Sequence, residues 1–139
     1  MATNTSTLLI NATLQKVWNA LTQKEAVKAW QFGSDLTTDW QIGSEIKFST
    51  EWQGVTYLQW GKILEIQQDK LIKYSLFAPR PDLEDKPENY FEMKYVLTPF
   101  NNQTKLEIIQ ENRPGAVQEE PQGEENPILA TLKKYAESN

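Results

Sequence analysis

The spacing of apolar positions changes twice along this chain, and each change marks a change of element. Leu8 and Ile10 share one parity near the N-terminus, which predicts a short strand over Thr7 to Asn11. Asn11-Ala12-Thr13 supplies helix-capping side chains, and Leu14, Val17, Trp18 and Leu21 then fall on one helical face. Thr22-Gln23-Lys24-Glu25 fits the capping-box pattern and predicts a second short helix, which groups Ala26, Val27 and Trp30 and ends near Gly33.

A period of two takes over in the middle. Ile46, Phe48, Thr50 and Trp52 alternate with Lys47, Ser49, Glu51 and Gln53, and Gln53-Gly54 reads as a hairpin turn. Val55 to Gln67 follows as one long strand bent at Gly61, and Gln68-Asp69-Lys70 turns the chain into a strand from Leu71 to Phe77. Phe91, Met93, Tyr95 and Leu97 alternate up to Pro99, which is expected to end that strand. Asn101-Asn102 makes the next turn, and Thr104, Leu106 and Ile108 share a face beyond it. The period then lengthens again. Ile128, Leu129, Leu132, Tyr135 and Ala136 form one face of a closing amphipathic helix, with Lys133, Lys134 and Glu137 outside. The stretches Pro79 to Asn89 and Pro114 to Pro127 read as loops, too short to separate domains, so residues 1–139 are expected to form one domain. The order predicts an α+β fold: two short helices after the first strand, a meander of antiparallel strands, and a helix laid across it.

Composition narrows the chemistry. The 139 residues include no cysteine and no histidine. Disulfides, thiolate nucleophiles, imidazole metal sites and Ser-His-Asp hydrolysis are thereby excluded. No metal site and no cofactor are expected. Fourteen basic residues stand against nineteen acidic ones, a net charge of −5, and the acidic excess lies after Arg80. An acidic chain without a basic stripe is a poor match to nucleic acid or to an anionic membrane. The N-terminus has neither a charged start nor an apolar run fit for export, and Leu8-Leu9-Ile10 is far too short to span a bilayer. These features lead us to expect a cytoplasmic protein without membrane insertion.

Val17-Trp18-Asn19-Ala20-Leu21-Thr22, Trp30, Gly43 with Phe48 five residues on, Gly61-Lys62-Ile63-Leu64-Glu65-Ile66, Leu71, Leu97-Thr98-Pro99 and Thr104-Lys105-Leu106 occur in an order that spans most of the chain. In that order the sequence resembles the START-like (SRPBCC, helix-grip) superfamily, in the branch similar to the heat-shock protein 90 ATPase activator C-terminal domain. The resemblance implies a curved antiparallel sheet gripping the C-terminal helix, with an apolar cavity between them. It departs from the family's pattern in Gly43-Ser44, where paired glycines are common, and in the absence of a histidine near Gln110 and of a Gly-Trp pair before Ile128. The superfamily includes ligand binders, cyclases and chaperone regulators, so fold alone does not select an activity.

Side-chain parity supplies the candidate site. Phe48, Tyr57, Ile63, Met93, Tyr95, Leu106, Ile108, Leu132 and Tyr135 point inward, either as a filled core or as the wall of a cavity. Trp30 joins them from the helical pair, and Gln59 and Gln110 share the inward parity as amides able to orient a ligand. Buried phenols at Tyr57, Tyr95 and Tyr135 would want hydrogen-bond partners, which a ligand can supply. Trp60 has the opposite parity: with Leu58 it faces the convex side, unless a bulge at Gly61 turns it. Asp35, Asp39, Glu51 and Glu65 read as solvated charge, and the glutamates from Glu119 to Glu125 read as a solvated loop or a dock for a basic partner. No catalytic residue is identified. The leading expectation is a small apolar or aromatic ligand held between sheet and closing helix. A regulator of an Hsp90-type chaperone acting through surface contacts is the alternative. A cyclase or hydrolase using tyrosine or a carboxylate of raised pKa is the third.

Overall fold

A computed structural model describes residues 3–31, 33–77, 79, 84–86, 89–111 and 127–138. In chain order the elements are β1 (Thr3–Ile10), α1 (Leu14–Thr22), α2 (Lys24–Trp30), β2 (Asp35–Thr37), β3 (Glu45–Trp52), β4 (Val55–Gln67), β5 (Leu71–Leu76), β6 (Phe91–Phe100), β7 (Gln103–Glu111) and α3 (Pro127–Ser138). The strands form one curved, unclosed antiparallel sheet in the order β1-β7-β6-β5-β4-β3-β2. The glutamates from Glu119 to Glu125 lie outside the described residues, as do most of the loop from Pro79 to Asn89 and the side chain of Trp52.

Two turns fix most of the register. Gln53 and Gly54 take φ of 50° and 78°, and Asn101 and Asn102 take 47° and 66°. Two successive left-handed residues give the hairpin turn whose twist matches the flanking strands. Pro99 does not end β6, as its sequence position suggests, but sits within the strand opposite Thr104. Counting back from the turn, position 99 directs its backbone nitrogen away from β7. On that side the β5 ladder has already stopped at Leu71, opposite Val96, so the missing N–H breaks no ladder bond. β1 is also longer than its apolar alternation indicates. It pairs with β7 from Thr3 opposite Glu111 to Ile10 opposite Thr104, carrying polar residues the hydrophobic pattern does not mark.

Gly61 and the bulge are separate features. The pairing of β4 with β3 is continuous through Gly61, and the irregularity against β5 lies between Ile63 and Glu65. The bulge therefore falls at Leu64. Beyond it the inward parity switches, which brings Ile66 against the core. Gly61 instead permits close approach: a Cβ there would lie 1.8 Å from the carbonyl oxygen of Ser75.

The helical pair is held by tryptophans. Thr13 caps α1, its Oγ1 accepting from the N–H of Lys16 at 3.2 Å. At the other end, three carbonyls that the helix leaves unpaired find donors. Gln23 N–H bonds Asn19 at 2.9 Å, the Trp30 indole bonds Ala20 at 2.7 Å, and the Trp40 indole bonds Thr22 at 3.1 Å. The capping box does not form. Thr22 closes α1, its hydroxyl donating to Trp18, and Gln23 precedes α2 without a side-chain cap.

α3 buries Leu129, Leu132 and Ala136, a stripe at helical spacing, and contacts α1, α2 and β1. Glu137 accepts from Asn11 N–H at 2.8 Å and from Lys133 at 2.6 Å, tying the last turn of α3 to the end of β1. The lysine contact, then the backbone contact, hold its carboxyl below the usual range. Among the described residues, no helix is long and apolar enough to cross a membrane.

Candidate ligand-binding cleft

The inward faces of six strands do not close completely against the helices. They leave a cleft of about 580 Å³. β3 contributes Phe48 and Thr50, β4 Tyr57 and Gln59, β5 Tyr74 and Leu76, β6 Phe91, Met93 and Tyr95, β7 Ile108 and Gln110, and β1 Asn4 and Ser6. Trp30, Gln31 and Ser34 wall one side, and Ile128 and Leu129 of α3 the other. No described lining side chain carries a charge. Polar and apolar groups alternate around the wall, so the cleft is mixed rather than uniformly oily.

Its floor holds a phenol pair. Tyr74 lies opposite Met93 in the β5–β6 ladder, and Tyr95 is the diagonal neighbour. That offset places the rings edge to face at 5.9 Å between centroids and the two hydroxyls 2.9 Å apart. Phe48 packs on the other side of Tyr74, with ring centroids 6.0 Å apart. Two hydroxyls bonded to each other use one of their two protons. No further hydrogen bond from either oxygen to a described residue accompanies it. The floor therefore presents a spare donor and spare lone pairs.

Burial sets the charge state of that floor. Desolvation raises the Tyr74 pKa well above its ordinary 10.0, and the adjacent Tyr95 raises it further. Burial raises Tyr95 as well, with the bond from Tyr74 opposing. Both phenols are neutral at pH 7, leaving neither a general base nor an anion in the floor. The sign for stability follows. Both folded-state pKa values lie above the unfolded value, so the contribution is complete below pH 10 and is lost as pH rises past it. We expect the tyrosinate absorbance of the folded protein to lag that of the urea-unfolded chain, the lag ending where circular dichroism reports alkaline unfolding. Superimposable titrations would contradict burial of the pair.

At the helical rim, Ser34 and Thr50 share a 2.7 Å hydroxyl contact, and Ser34 also donates to the Gln31 carbonyl at 3.1 Å. The Trp30 indole N–H is already spent on Ala20, so Trp30 offers the cleft an apolar surface and no free donor.

The family described as Activator of Hsp90 ATPase homolog 1-like protein matches residues 11–137. The chain belongs to this family. Among curated proteins no sequence matches it significantly. Among solved structures it is similar to the solution structure of a Cytophaga hutchinsonii protein, at 29% identity and a TM-score of 0.70, covering 100% of this chain and 86% of that one. It shares its fold with an HSP90 activator from Plasmodium falciparum, at 18% identity, TM-score 0.66 and coverage of 84% and 76%. It likewise shares it with the Aha1 dimer from Colwellia psychrerythraea, at 20% identity, TM-score 0.63 and coverage of 84% and 81%.

In this member of the Activator of Hsp90 ATPase homolog 1-like family, eight of the inward residues named from sequence reach the cleft wall: Trp30, Phe48, Tyr57, Gln59, Met93, Tyr95, Ile108 and Gln110. Tyr57 stands at the mouth, 54% exposed. Ile63, Leu106 and Leu132 are not on the wall but fully buried in the core, and Tyr135 is half-buried against that core. Tyr74 was not singled out in sequence, although its alternation with Ile72 and Leu76 is visible there. The missing information was the diagonal offset between β5 and β6, which alone brings its hydroxyl to Tyr95. Asn4, Ser6, Ser34 and Thr50 carry no such sequence signal, because a polar residue at an inward position breaks the hydrophobic pattern.

Proposed function

We propose that the cleft binds a small uncharged ligand with a ring or other apolar body and one hydrogen-bonding group. The observation that supports this most is the neutral Tyr74–Tyr95 pair, which keeps hydrogen-bonding capacity at the floor of a cleft without charged walls. Met93, Phe48 and Ile108 would cover the ligand's apolar surface, and burial is worth about 25 cal/mol per Å². The phenols would bond its hydroxyl or carbonyl. A charged ligand would meet no counter-charge among the described lining residues and is disfavoured.

Fluorescence titration with 2-naphthol and naphthalene tests this. We expect saturable binding of both, with 2-naphthol tighter by about fivefold, the worth of one neutral hydrogen bond. The double variant Tyr74→Phe/Tyr95→Phe keeps both rings, removes both hydroxyls and should erase that preference. Absence of saturable binding, or a preference that survives loss of both hydroxyls, would overturn the reading.

Family membership and the shared fold of the Plasmodium falciparum activator support a second reading, contact with an Hsp90-type chaperone through the outer surface. Stimulation of a purified chaperone's ATPase by this chain is its direct test. The cyclase or hydrolase reading draws no support from the cleft, where the described lining offers neutral phenols and amides and no carboxylate or amine.

A further inference from the structure

The convex side of the sheet carries a second concavity, of about 840 Å³, that the cleft does not use. Its floor is aromatic. Trp60 and Phe77 pair as neighbours across β4 and the end of β5, with rings 5.5 Å apart, and Tyr90 stacks on Phe77 at 5.3 Å. Asp85 fixes both polar ends of this stack, accepting from the Trp60 indole at 3.1 Å and the Tyr90 hydroxyl at 2.6 Å. One row along the strands, the register sets Glu111, Glu92, Ser75, Lys62 and Glu45 side by side across five strands.

The charges in that row are unbalanced. Four carboxylates line the concavity against one lysine, Lys62, which is opposite Glu45. Glu92 and Glu111 are direct cross-strand neighbours, a like-charge placement that costs stability in a sheet. Lys73 reaches Glu92 at 3.5 Å, both side chains little more than one-third exposed, and one partly solvated contact offsets only part of that cost. Glu111 has no ion pair among the described residues. A cation seated there would relieve the Glu92–Glu111 repulsion, and the same concavity holds the aromatic surface of Trp60.

We propose that this concavity docks a basic segment of a partner protein, with one arginine laid on Trp60 and a second basic side chain between Glu92 and Glu111. Arginine fits both halves of the site. Its plane stacks on an aromatic ring, and its fork of donors matches carboxylates. Lysine would satisfy the charge but not the stack. The proposal is independent of the ligand reading, because the two concavities lie on opposite faces of the sheet.

The test is an NMR titration of the full chain with a short peptide carrying two arginines, and with its citrulline twin. We expect saturable shifts at the Trp60 indole N–H and the amides of Ser75 and Glu92. The citrulline peptide and the double variant Glu92→Gln/Glu111→Gln should each bind at least about tenfold more weakly. The double variant removes a repulsion from the surface and should fold as the parent does. Weaker binding of a lysine twin supports the stacking role of Trp60. Shifts spread over unrelated carboxylates such as Glu51 and Glu65 without saturation, or unaltered affinity in the double variant, would overturn the proposal.

Discussion

Gly61→Ala is expected to lower the unfolding free energy by about 3 kcal/mol, the upper end of what overpacking costs. The reason is backbone against backbone. The new Cβ would sit 1.8 Å from the Ser75 oxygen, 2.5 Å from its carbonyl carbon and 3.0 Å from the Leu76 Cα. No rotamer change relieves a contact of that kind, so β5 must move away from β4. That motion strains the paired bonds between Trp60 and Phe77, now 3.2 and 2.7 Å, and displaces Leu76 from the cleft wall. A urea midpoint shifted down at constant slope is the expected readout. A variant within about 0.5 kcal/mol of the parent, the range of an ordinary surface change, would show that the close approach is not real.

Leu132→Ala is expected to cost between about 2 and 5 kcal/mol, as fully buried leucine truncations do. Leu132 is completely buried, with Leu129 one turn before it and Ala136 one turn after. Together they seat α3 against α1, α2 and β1. The loss should also reach the cleft, because Leu129 and Ile128 form its helical wall. Removing the helix after Asn126 should be more severe, leaving the core's apolar face open to water. A truncated chain with native circular dichroism and a sharp thermal transition would contradict the role given to α3.

How far the sequence could be read depended on which physical effect was local. The Gln53-Gly54 and Asn101-Asn102 turns were legible because a left-handed backbone has a small residue vocabulary. Inward parity was legible at Phe48, Met93, Tyr95 and Ile108, since a strand has a strict period of two. The bulge was not, because Gly61 is the residue that suggests one while Leu64 carries it. A bulge is a mismatch between two strands, and only their pairing reveals it. Pro99 misled for the same reason: its missing N–H matters only if a neighbour needs it, and none does. Parity placed Trp60 on the convex face with Leu58, and the structure keeps it there, but its partners Phe77, Asp85 and Tyr90 come from a distant part of the chain. The phenol pair is likewise a product of register rather than of either tyrosine's local sequence.

The cleft and the convex concavity also explain why an acidic chain with no histidine or cysteine need not be inert. In the proposed reading, neutral phenols and amides would orient a ligand without ionising near pH 7, and carboxylates on the opposite face would make association there sensitive to salt. The two faces are separated by a single sheet, so effects on one can be measured while the other is left intact.

The cleft can be interrogated most directly through Met93, which lines it and is one of only two methionines in the chain. With methyl-labelled methionine, adding 2-naphthol should move the Met93 resonance saturably, and Tyr74→Phe/Tyr95→Phe should weaken the response. A Met93 signal that does not move, or that moves only linearly with ligand concentration, would contradict the account.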